Sequence, residues 1–68
     1  MIDSQDQIQF DYLLAEKINL SNIALFELTD GSEYDIVKSI REGYLKFGSF
    51  TPKQRMVLAR FLAFKEMI

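Results

Sequence analysis

Between Ser32 and Gly48 the apolar residues Ile36, Val37, Ile40, Tyr44 and Phe47 recur at i, i+4 and i+8 spacing. At about 100° per residue they fall on one side of a helix, with Lys38, Arg41, Glu42 and Lys46 directed away from it. Ser32, with Asp35 three positions on, is a candidate cap for this helix, and Gly48 suits the left-handed residue that closes it. Gly43 lies beside the apolar stripe, where a bare Cα permits close approach of another helix.

A second, stronger pattern follows. Thr51-Pro52-Lys53-Gln54 has the form of a capping box, with Thr at N-cap, Gln three residues later, and Pro where its missing N–H costs nothing. The helix predicted from Pro52 to about Glu66 is apolar almost all round. Val57, Phe61, Phe64 and Ile68 make one stripe, which Leu58 and Leu62 widen, and Met56, Met67, Ala59 and Ala63 occupy the opposite side. Such a helix is normally buried on every side, and a short chain has little to wrap it with. It is either a central core helix or one whose second face meets another copy or a different protein. On the second reading Met56, Arg60, Phe64 and Met67 are the partner-binding residues, with Arg60 the anchor between apolar neighbours.

The first half is less sharply written. Asp3 or Ser4, followed by Gln7, can start a helix to about Ile18, and Asn19 or Ser21 can cap a short one through Leu28. The competing pattern pairs residues 23–28 and 33–37 as strands across Asp30-Gly31, a strong hairpin turn. Helix-favouring Ala24, Leu25, Glu27 and Leu28 tip the balance toward helix. The expected fold class is therefore all-α: residues 1–68 form one small domain of three or four helices ending in an αα-hairpin across Gly48-Ser49-Phe50.

Composition and charge change this picture in two ways. A 68-residue chain that is 49% hydrophobic, with six Phe and three Tyr, has material for a core. It buries only about 60% of its unfolded surface, however, and it has neither Cys nor His to staple it. Association is the remaining support, so a homodimer or protein partner is expected. Charge is strongly segregated: eight acids against Lys17 leave residues 1–35 at −7, and seven bases against Glu42 and Glu66 leave residues 36–68 at +5. The halves can attract each other within one fold or across two copies, or present a charged face to a partner.

Lys38, Arg41, Lys46, Lys53 and Arg55 form a basic set that could track phosphates, which makes a nucleic-acid accessory protein the second reading. The pI of 4.9 argues against it. A third reading uses Asp3, Asp6, Asp11 and Glu16 as part of an acidic inhibitor of a nucleic-acid-handling protein. Catalysis is not expected, because there is no His, Cys nucleophile or Gly-rich phosphate loop, and Asp30, Glu33 and Asp35 lack the ligand order of a calcium loop. No cofactor, metal or small-molecule substrate is implied. Met1 to Phe10 lacks the apolar core of a signal peptide and no run approaches the ~20 residues of a membrane span, so a cytoplasmic protein is expected.

The segment Phe50-Thr51-Pro52-Lys53-Gln54-Arg55-Met56-Val57-Leu58 resembles the opening of the helix that precedes the helix-turn-helix in LuxR-type and MarR-type regulators. The recognition helix that follows it there has no counterpart here, so the nine-residue likeness does not imply a repressor. The Gly48-x-Phe50-Thr51-x-Lys53-Gln54 pattern is similar to a helical hairpin of small phage and mobile-element proteins, which implies an accessory role. The leading expectation is a non-enzymatic helical adaptor or regulatory protein that docks onto a larger protein or assembly.

Overall fold

Local hydrogen bonds set the helix boundaries. The computed structural model describes residues 4–68, so the possible cap at Asp3 lies outside the described residues. Four helices run α1 (Ser4–Ile18), α2 (Asn22–Leu28), α3 (Asp35–Phe47) and α4 (Pro52–Met67), and no strand occurs among the described residues. The Asn19 side chain donates to the Ala15 carbonyl at 3.0 Å to close α1, and Ser21 opens α2 by accepting from the Ala24 N–H at 3.1 Å. Residues 23–28 are helical, which removes the hairpin alternative. Gly31, at φ 79°, turns the chain between α2 and α3.

At the start of α3 the structure corrects the expected cap. Tyr34 is the N-cap, extended at ψ 126°, and no side chain caps the helix. Ser32 Oγ accepts instead from the Tyr34 N–H at 3.3 Å, a bond within the turn that competes with capping. Asp35 becomes the first helical residue, where its carboxylate favours the positive end of the dipole. The other end is as read: Gly48 takes φ 77° and donates its N–H to the Tyr44 carbonyl at 2.7 Å. Thr51 and Gln54 form the full capping box of α4, with bonds of 3.1 and 3.0 Å.

The core lies among α2, α3 and α4. Leu25, Val37, Ile40, Phe50, Leu58 and Leu62 are buried together, with Leu20, Phe26, Tyr44, Val57 and Phe61 packed around them. Tyr44 bridges Phe26 and Phe50, its ring 4.8 and 4.7 Å from theirs. The apolar face of α3 is thus only partly used, since Val37 and Ile40 are buried but Ile36 and Phe47 are exposed. Gly43 admits no close neighbour: a Cβ built there meets nothing within 4 Å, contrary to the expected helix approach.

Helix α4 is the hub. It packs on α2 and on α3 across the short loop, but its most extensive contact is with α1. Phe10 meets Phe64 with ring centroids 4.6 Å apart, and Lys17 reaches Glu66 at 2.5 Å. At 100° per residue, Phe64 and Glu66 bracket the arc of α4 that carries Ala59, Ala63, Met56 and Met67. Ala59 and Ala63 are fully buried and the two Met half-buried, while Arg60 in the same arc is exposed, so α1 covers part of the face that the sequence left for a partner. No helix among the described residues is long and apolar enough to cross a membrane.

Candidate functional site

With α1 on one side of α4 and the core on another, the stripe Val57, Phe61, Phe64, Ile68 is left facing a hollow. This groove, about 760 Å³ in volume, is bounded on its other bank by Gly31 to Tyr34, Ile36 and Val37. Its lining is mainly apolar and open to solvent. Tyr34 is 65% exposed, Ile36 59% and Phe64 50%, although the Tyr34 ring stands edge-on to Phe61 at 5.5 Å and 74°. The unusual N-cap places Tyr34 there: an extended residue before the first turn holds its ring against α4 rather than along α3. Glu33 and Lys65 are the charged members of the lining, one from each bank.

The four expected partner residues do not gather in one open patch. Phe64 lines the groove, whereas Met56 lines a separate hollow with Ile18, Phe50, Pro52 and Arg55. Met67 is half-buried, and Arg60 is exposed.

The five basic candidates divide by chemistry. Lys38, Lys46 and Lys53 are exposed. Arg55 is turned inward, donating from Nη2 to the carbonyls of Ile18, at 2.9 Å, and Leu20, and from Nη1 to Asn22 Oδ1. Arg41 donates from Nη1 to the Phe26 carbonyl and, at 3.0 Å, to Thr29 Oγ1, while its Nη2 pairs with Asp30 at 3.1 Å. Its guanidinium also lies 3.9 Å from the centre of the Phe26 ring. Helix C-termini leave carbonyls without intrahelical partners, and these two arginines supply the donors for α1 and α2. Thr29, only 1% exposed, completes the second junction by donating to the Leu25 carbonyl at 2.7 Å.

Part of the segregated charge is therefore used internally. Arg41 pairs with Asp30 across the halves, and Lys17, the one base of the acidic half, pairs with Glu66, one of two acids in the basic half. The hydrogen bond to Glu66 is the main reason the Lys17 ammonium is held above its ordinary pKa; burial opposes it, and the charges of Glu66 and Glu16 add to it. Among the described residues no group of three or more potential metal ligands occurs. Sequence reasoning placed Ile36 on a buried face and did not find Tyr34 or Glu33 as groove residues. The available signal was the hydrophobic surplus of α4, which does not say which side its neighbours leave open.

Searches of family models, curated proteins and solved structures gave no significant match to the chain.

Proposed function

We propose that this protein is a non-enzymatic docking module, a small helical domain that acts by seating a protein surface in the groove between α4 and the α2–α3 connection. The observation that carries the reading is the groove itself: Tyr34, Ile36, Phe64 and Ile68 are all at least half exposed around one hollow that adjoins the core at Val37, Val57 and Phe61. Contiguous apolar surface of this kind, with charged residues at its margin, marks protein interaction sites. Aromatic side chains dominate the energetics of such contacts. The basic side chains support the alternative less, because Arg41 and Arg55 are bound to backbone carbonyls and cannot also track phosphates.

The test identifies proteins cross-linked to the purified domain by mass spectrometry, then titrates each with purified components. Ile36→Lys, at the groove, is expected to weaken binding at least tenfold. Leu45→Lys, on the exposed outer side of α3, is expected to leave it unchanged. Binding that is indifferent to Ile36→Lys, or retention on DNA that falls steeply with salt, overturns the reading.

A further inference from the structure

We infer that the occupant of the groove is the same groove of a second copy, set in register by Glu33 and Lys65. The inference rests on the docking reading and names its partner. Two-fold pairing brings one patch against itself, so residue i of one copy meets j of the other and j meets i. A patch suited to this needs an apolar centre and charges that are complementary under exchange. The groove has both. Its centre is Tyr34, Ile36, Phe61, Phe64 and Ile68, with an acid on one bank and a base on the other. Neither Glu33 nor Lys65 makes an ion pair or side-chain hydrogen bond within the described chain, although Lys17, Glu66, Arg41 and Asp30 all do.

Glu33 and Lys65 are the only charged side chains in the lining of the groove, one on each bank. Asp30, beside the acidic bank, is engaged with Arg41, and Glu66, beyond the basic one, with Lys17. A two-fold axis running along the groove lays the acidic bank of each copy over the basic bank of the other, so that Glu33 meets Lys65 twice. These charges favour that pairing over one about an axis across the groove, in which like banks would oppose each other. A hydrophobic groove with matching charges under two-fold exchange is not required by the fold of a single chain, since its core is complete without Ile36, Phe64 or Ile68.

Molar mass of the purified chain, measured by sedimentation equilibrium from micromolar to millimolar concentration in low salt, tests this. A dimer is expected. Glu33→Lys and Lys65→Glu are each expected to weaken it about tenfold or more, by opposing like charges at both ends of the interface. Both side chains are exposed and have no ion pair or hydrogen bond among the described residues, so unchanged helicity by circular dichroism is expected in each variant. The two single variants mixed together should associate with each other more tightly than either does with itself, and the double variant should recover the parent affinity to within a few-fold. A chain that stays monomeric at 1 mM, or single variants that fail to associate on mixing, overturns the inference. If groove-dependent binding of another protein persists in that case, the docking reading stands without the second copy; if Ile36→Lys affects neither, both fall.

Discussion

Arg55 and Ile18 are 37 residues apart in the chain and joined by a 2.9 Å hydrogen bond from guanidinium Nη2 to backbone carbonyl. The same nitrogen reaches the Leu20 carbonyl and its neighbour reaches Asn22, so one side chain closes the end of α1 and fixes the approach to α2. Replacing Arg55 with Ala leaves two carbonyls without their donor in a half-buried junction. A loss of about 2–3 kcal/mol is expected, measured by urea denaturation. Arg55→Lys should recover less than half of it, because an ammonium cannot reproduce the planar fork that serves three acceptors.

The Arg41 junction makes a different prediction, because its contacts differ greatly in exposure. Asp30 is 80% exposed, and its ion pair with Arg41 is screened by water, so Asp30→Asn should change stability by less than about 1 kcal/mol. Thr29 is buried and both donates to Leu25 and accepts from Arg41, so Thr29→Val should cost about 1–3 kcal/mol. The Thr29→Val/Arg41→Met pair should be non-additive, since both act on the Phe26 carbonyl, and a double-mutant cycle by chemical denaturation reads the coupling directly.

The arginine junctions also mark where the sequence stops being legible. Ser21, Gly48, Thr51 and Gln54 announced their roles because their bonds close within four residues, and spacing alone specifies such bonds. The Ser32 cap failed at the same range because its hydroxyl had two local options, and the turn bond to Tyr34 prevailed. Arg41 and Arg55 read equally well as phosphate contacts, since their acceptors lie 11 to 37 residues away and a backbone carbonyl leaves no trace in composition. The groove was hidden for a related reason. A helix apolar on all sides carries no period to say which arc α1 will cover, and α1 took the Met56 and Met67 side.

Two glycines should respond to alanine in opposite directions. Gly43 is inside α3 with open space where a Cβ would go, so Gly43→Ala should stabilise by about 0.5–1 kcal/mol through lost unfolded-state freedom and better helix propensity. Gly48 holds φ 77°, so Gly48→Ala should destabilise by about 1–2 kcal/mol. In a domain of this size each 1 kcal/mol moves Tm by roughly 4–8 °C, so a thermal melt separates the two.

Alkaline pH should expose the Lys17–Glu66 pair. The Lys17 pKa is raised in the folded protein above its ordinary 10.5, chiefly by the hydrogen bond to Glu66, so the folded state holds this proton more tightly than the unfolded one. Its stabilisation is therefore fully present below about pH 10.5 and is lost as pH rises through the higher folded value. Because the Lys17 side chain is only 9% exposed while Glu66 is 46% exposed, Lys17→Met should keep most of the packing and leave a carboxylate that water can still reach. Near neutral pH the variant should remain within about 1–2 kcal/mol of the parent. Above pH 10.5 the difference between parent and variant should shrink with each step in pH. Denaturation midpoints of the two chains from pH 7 to 12 check this, and curves that stay parallel across the range would show that the pair contributes no pH-dependent stability.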